Sequence, residues 1–173
     1  MRIWGPASAV LGLLLAAPHL QASSDPRAAT VAQGLGAITD PELARGDYVE
    51  HCAGCHGVQG LSAPARLPEL RGRVGYMMCT AETRSYLLRL PNIAKSRIAD
   101  NQQLADMLNF MVFGLGGDSV LPGTRPFTAD EVASERRFAL TSASLVRERQ
   151  RHVDTAISKC GAPSSLRNFY QSK

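Results

Sequence analysis

Cys52-Ala53-Gly54-Cys55-His56 is the run in this chain whose residue types and spacing can do chemistry. Two thiols one helical turn apart can each add across a vinyl group on the same edge of a porphyrin, forming two thioethers. The adjacent imidazole of His56 then projects at the iron as its proximal ligand. The run C-x-x-C-H is therefore read as the attachment site of one c-type haem, with Cys52 and Cys55 as covalent anchors and His56 as metal ligand. Two other chemistries use such a pair. A redox-active C-x-x-C expects a βαβ setting, and the surrounding sequence has no strand pattern. A structural zinc site needs a second C-x-x-C or an H-x-x-x-H, and neither is present.

The motif must sit at the end of a helix. Asp40-Pro41-Glu42 reads as its start, with Asp as N-cap, Pro at the first helical position and Glu in the first turn. Leu43, Tyr48, Val49 and Cys52 then recur at helical spacing. After the motif, Gly54, Gly57 and Gly60 loosen the backbone, and a loop is expected over 61–75 through Pro64 and Pro68. Thr80 to Leu90 reads as a second helix with Tyr86, Leu87 and Leu90 on one side, ended by Pro91-Asn92. A third is capped by Asp100 or Asn101, carries the apolar stripe Leu104, Met107, Leu108, Met111 and Val112, and stops at Gly114, Gly116 and Gly117. Thr128 caps a fourth, with Glu131 at the box position. A basic helix carrying Arg147, Arg149 and Arg151 is expected over 142–160. With no repeat and no strand-rich region, the class is all-α.

The chain has 173 residues, 45% hydrophobic and 20% charged, and a mean hydropathy of −0.10, which excludes a polytopic membrane protein and a disordered chain. Its net charge of +4 comes mostly from dispersed Arg, so nucleic-acid binding is not expected, whereas a mildly positive surface suits docking to an acidic protein. Met1-Arg2, the apolar run Ala7–Ala17, Pro18 and the small residues Ala22-Ser23-Ser24 have the layout of a secretory signal peptide cleaved after Ala22 or Ser24. The apolar run is shorter than the about 20 residues that span a bilayer, so no membrane span is expected after cleavage; the alternative is an uncleaved anchor. Export places the thiols in an oxidising compartment such as the periplasm. The expected organisation is a signal peptide over 1–22, a flexible lead-in over 23–39, a haem-binding core over 40–117 and a C-terminal helical extension over 118–173.

With Gly57 and Gln59-Gly60 after it, the motif resembles the haem-binding start of class I c-type cytochromes. Leu67-Pro68-Glu69-Leu70-Arg71-Gly72 is similar to that family's P-x-L-x-G segment, and Leu104 to Met111 to its closing helix. More narrowly, the stretch from Gly72 through Arg84-Ser85-Tyr86-Leu87 and Pro91-Asn92-Ile93-Ala94 to Leu108-Asn109 is similar to small periplasmic cytochromes of proteobacteria. The resemblance implies a cytochrome c-like helical wrap around one haem, electron transfer as the activity, and a Pro68 carbonyl that accepts from the His56 ring and fixes its orientation.

Class I members usually carry a distal Met on the loop before the closing helix. Here that loop, 91–101, contains neither Met nor His. Met107 and Met111 lie on the apolar stripe and read as packing. Met78, preferred, and Met77 lie in a short Gly-bounded segment and are the candidate sixth ligands; an open, five-coordinate iron is the alternative. His51 is expected to point away from the iron, His152 to be solvated on the basic tail, and His19 to leave with the signal peptide.

Cys79 and Cys160 are expected to pair, closing a loop of about 80 residues worth roughly 4 kcal/mol, or else to remain free or join two chains. Arg66, Arg71, Arg73, Arg84 and Arg89 are candidates to neutralise haem propionates, and the Arg-rich tail is a solvated face or a docking surface. The functional expectation is a periplasmic electron carrier, not an enzyme, working between a dehydrogenase or other cytochrome and a downstream oxidase or reductase. A haem sensor or weak peroxidase with an open site, and a cytochrome subunit of a periplasmic oxidoreductase, are the alternatives.

Overall fold

The computed structural model describes Met1, residues 25–62 and residues 67–170. The expected signal segment beyond Met1 lies outside the described residues, as does Arg66. Among the described residues all regular structure is helical and there is no strand, as the all-α reading requires.

The first departure from the sequence reading comes early. The expected flexible lead-in holds a helix, α1 (Pro26–Gly36). Asp25 accepts from the backbone N–H of Arg27, Pro26 occupies the first turn, and the Thr30 hydroxyl donates back to the Pro26 carbonyl. What fixes α1 is tertiary. Gly34 is buried so close to the Phe113 ring that a Cβ there would fall 2.2 Å from it. The segment lacks an apolar stripe because this contact uses a missing side chain rather than a large one.

Asp40 caps α2 (Pro41–His51) by accepting from Leu43 N–H at 3.0 Å. This helix crosses α6 (Asn101–Asn109), which Asp100 caps through Gln103 N–H. At the crossing Tyr48, Leu104, Ala105 and Leu108 are fully buried, and the Tyr48 and Phe110 rings tilt against each other at 5.6 Å. Polar bonds fix the register: Asp106 accepts from the backbone N–H of Thr39 at 3.0 Å and from its hydroxyl, and Gln103 donates to Asp47 at 2.9 Å. The stripe Leu104, Met107, Leu108, Met111 and Val112 is buried as expected. Past α6 the chain widens into a π turn over 110–114.

Between the two crossing helices lie α3 (Ala53–His56), a 3-10 turn over 74–78 inside and beyond the expected loop, and α4 (Ala81–Arg89). Thr80 and Thr83 form a reciprocal capping box at the start of α4. Pro91 does not merely end α4; it sits in the first turn of a further short helix, α5 (Pro91–Ala94), where its missing N–H costs nothing.

The C-terminal part packs back on these elements. Thr128 caps α7 (Ala129–Glu135) through Glu131 N–H, and α7 lies beside α6. The buried Asn109 side chain donates to the Phe127 carbonyl at 3.0 Å and accepts from the Phe127 N–H at 2.7 Å. Ser144 caps α8 (Leu145–Cys160), which packs on α4 and the 3-10 turn. A disulfide between Cys79 and Cys160, Cα atoms 6.2 Å apart, fastens the end of α8 to the segment that carries Met77 and Met78. Among the described residues no helix is long and apolar enough to cross a membrane.

Candidate haem site

The motif begins where α2 ends. Cys52 caps α2 through its N–H to the Tyr48 carbonyl, and its own carbonyl accepts from the N–H of His56 at 2.9 Å, so the tight turn of α3 presents the two thiols and the imidazole in sequence. Gly57 then turns the chain away at φ +73°; a Cβ there would lie 2.3 Å from the Leu61 carbonyl oxygen, so only glycine fits. The Tyr48 hydroxyl donates to the Gly57 carbonyl at 2.7 Å and ties this turn to the helix crossing. Burial pushes the Tyr48 phenol up to about 12, so it remains a donor. Tyr48 enters the sequence reading only as a helix-spacing residue, and nothing in its type announces that bond.

Of the four cysteines, two are joined in the disulfide and the two of the motif are free thiols, Cys52 buried and Cys55 exposed. Burial, with a smaller contribution from Cys55, pushes the Cys52 thiol up to about 11, which keeps it protonated at neutral pH. The Nδ1 atom of His56 lies 3.1 Å from the Pro68 carbonyl oxygen. A carbonyl oxygen only accepts, so this bond puts the ring proton on Nδ1 and leaves the Nε2 lone pair for a metal. Burial lowers the His56 pKa, with the Pro68 bond opposing it, which favours the neutral ring. The Ser62 hydroxyl donates to the same carbonyl at 3.0 Å. Two free thiols one turn apart and an imidazole with its outer nitrogen already engaged are the donor set that a covalently attached haem requires, and the residues fit the group.

The other expected positions divide. Met77 and Met78 are both buried in the 3-10 turn, and Met78 also lines a cavity of about 360 Å³ with Arg84, Thr124, Arg125 and Glu131. Met107 and Met111 are buried on α6 and the turn that follows it. Three propionate candidates are engaged elsewhere. Arg73 donates to the carbonyls of Ser165 and Asn168, Arg84 to Glu131 and to the carbonyls of Arg125 and Pro126, and Arg89 to Glu135. Arg71, which donates to the Gln59 carbonyl at 2.6 Å, is beside the motif. His51 stands at the end of α2 next to Glu50. His152, expected to be solvated, is instead buried: it stacks on Tyr86 at 4.3 Å, because the ring falls on the narrow face of α8 that Val153 and Ala156 also bury. The basic tail is likewise only partly a free face, since Arg149 packs over Phe169 and donates to the carbonyls of Leu166, Arg167 and Asn168.

Two curated proteins from Thermus thermophilus, both named cytochrome c-552, are similar to this chain. One is 28% identical over 134 residues, covering 68% of this chain and 90% of its own length. The other is 28% identical over 117 residues, covering 58% of this chain and 89% of its own length. The similarity supports a c-type cytochrome. The wider match spans more of the chain than the stretch 40–117, so the relationship extends beyond the expected core. No protein-family profile matches the chain, and no solved structure matches it.

Proposed function

We propose that the chain is a single-haem, class I-like cytochrome c of the kind found in the proteobacterial periplasm, and that it carries one electron at a time from a dehydrogenase or another cytochrome to a downstream oxidase or reductase. One observation carries the reading: the free thiols of Cys52 and Cys55 stand beside a His56 ring whose Nδ1 is held by the Pro68 carbonyl. Haem c held there supplies one-electron redox chemistry. Cys52 and Cys55 anchor it, His56 ligates through Nε2, and Pro68 keeps the imidazole from rotating. Tyr48 holds the turn that follows the motif. Met78, with Met77 as the other choice, supplies the sixth ligand from the 3-10 turn that the disulfide fastens to α8. A carrier makes and breaks no substrate bond, so the chain is not an enzyme in this reading. Its export as a signal-bearing precursor and its partners are part of the same proposal.

A second reading has its own support. The segment 91–101 contains no Met and no His, which favours an open sixth position and therefore a haem sensor or weak peroxidase. The visible spectrum of the purified haem protein, oxidised and dithionite-reduced, before and after carbon monoxide, separates the two. A sharp low-spin reduced spectrum untouched by carbon monoxide is the expected result, and loss of that signature in Met78→Ala or Met77→Ala identifies the ligand. A high-spin spectrum that shifts with carbon monoxide overturns the carrier reading in favour of the open site.

A further inference from the structure

The Pro68 carbonyl that holds His56 belongs to a peptide group bonded on both of its sides. On the carbonyl side lie the Nδ1 atom of His56 at 3.1 Å and the Ser62 hydroxyl at 3.0 Å. The N–H of the same group is that of Glu69, and in a trans peptide it points the opposite way. It donates to the backbone carbonyl of Phe169 at 2.8 Å. The next two N–H groups, of Leu70 and Arg71, turn instead to the Gly60 carbonyl, at 2.9 and 3.1 Å. The segment that orients His56 is thus fastened to the turn after the motif on one side. On the other, one bond ties it to a segment about 100 residues further along the chain.

That distant segment is itself held in place. Gly161 turns the chain back at the end of α8 with φ +66°, and a 3-10 turn over 164–167 then buries Leu166. Two guanidiniums grip its carbonyls. Arg73, only 4% exposed, donates to those of Ser165 at 2.9 Å and Asn168 at 2.6 Å. Arg149, on α8, donates to Leu166 at 2.7 Å, Arg167 at 3.3 Å and Asn168 at 3.4 Å, and lies over the Phe169 ring at 5.2 Å. A planar fork can reach several carbonyls of one turn, and a lysine ammonium reaches fewer.

Hydrogen bonds in series polarise one another. Donation by the Glu69 N–H pushes electron density towards the Pro68 oxygen and strengthens it as an acceptor, by about 10–30% per bond. A stronger acceptor draws the Nδ1 proton of His56 and makes Nε2 a more basic ligand, which favours ferric iron. We propose that Phe169 is a positioning residue for the proximal ligand: its backbone carbonyl, seated by Arg73 and Arg149, acts through the Pro68–Glu69 peptide group to aim and strengthen the His56 bond and so lowers the reduction potential. The inference rests on the haem reading above and assigns the C-terminal segment a part in it.

The test uses the purified full-length haem protein. Glu69→Pro removes the N–H, and Glu69→Ala loses the same carboxylate but keeps the N–H, so the difference between the two isolates the bond. Relative to Glu69→Ala, the His56 Nδ1 proton of Glu69→Pro exchanges with solvent about tenfold faster, followed by proton NMR of the dithionite-reduced protein. The ferric-to-ferrous ratio at a fixed ambient potential falls about two- to threefold, a rise in midpoint of about 20–30 mV at 59 mV per tenfold for one electron. Arg149→Lys keeps the charge but fewer of the carbonyl bonds. It shifts both readouts the same way by less, and it decides the matter if Glu69→Pro does not fold. Equal Nδ1 exchange in Glu69→Pro and Glu69→Ala overturns the brace. Faster exchange with an unchanged potential overturns the tuning and leaves the haem reading intact. A wild-type protein with no thioether-linked haem defeats the haem reading first, and this inference with it.

Discussion

The Nδ1 atom of His56 and the backbone carbonyl oxygen of Pro68 lie 3.1 Å apart, across a segment of twelve residues that turns at Gly57 and again at Gly60. The contact joins the end of a helix to a loop, and both partners are needed for a single ring orientation. Because the acceptor belongs to the backbone, no substitution of Pro68 deletes it. Pro68→Ala frees the local backbone instead, and is expected to lower stability by about 0.5–1 kcal/mol while retaining haem. Thermal unfolding of the haem protein, followed in the Soret band, measures it.

The proposed haem attachment gives each thiol of the motif a separable role. Cys52→Ala and Cys55→Ala singly are expected to leave one thioether each, and the double variant none. Haem staining after denaturing electrophoresis reads this directly, with signal in the single variants and none in the double. Full staining of the double variant would place the attachment elsewhere in the chain.

The Cys79–Cys160 disulfide spans 81 residues of sequence. By the chain-entropy relation, replacing both cysteines with serine is expected to cost roughly 4 kcal/mol. Urea unfolding of the oxidised wild type, the reduced wild type and the double variant checks it. The two disulfide-free forms are expected to share one midpoint, below that of the oxidised protein.

Asn109 is wholly buried and bonds both backbone groups of Phe127. Asn109→Ala leaves a buried N–H and a buried carbonyl without partners, and is expected to cost about 2–4 kcal/mol. A loss under about 1 kcal/mol, by the same urea titration, would mean that water or a shift of the 125–128 segment replaces the amide.

Burial lowers the pKa of His152, with the charge of Arg151 acting the same way and those of Glu82 and Glu148 opposing. Tyr86, on which the ring stacks, stays neutral, its phenol pushed up to about 12 by burial. The unfolded chain therefore binds the His152 proton at a higher pH than the folded one. The contribution of this residue to stability is complete above about pH 6.5 and falls as the pH drops from there towards the lowered folded value. His152→Gln is expected to flatten that part of the stability–pH profile. A profile of unchanged slope in the variant would show that another group carries it.

Much of this molecule is legible because its helices announce themselves at their ends. Asp40-Pro41, Thr80, Asp100, Thr128 and the stripe on α6 each mark a boundary that the structure keeps. Asp25-Pro26 carries the same signature as Asp40-Pro41, but no apolar stripe follows it; α1 is held by a glycine that lets Phe113 approach. His152 misleads because Arg147, Arg149 and Arg151 make α8 look polar all round, while its buried face is only His152, Val153 and Ala156 wide. At the proposed haem site, residue types point to Cys52, Cys55 and His56. Tyr48 acts on a backbone carbonyl, which every residue has, so no pattern of side chains could name its partner.

The bond between Cys79 and Cys160 closes a covalent ring, and the run from Cys52 to His56 lies outside it. Loading the haem threads nothing through that ring, so thiol oxidation and thioether formation are topologically independent and can occur in either order. Proteolysis divides along the same line. A single cut anywhere in 57–78 frees the motif, with everything before it, from the ring, whereas a single cut in 80–159 leaves every residue on one covalently connected body.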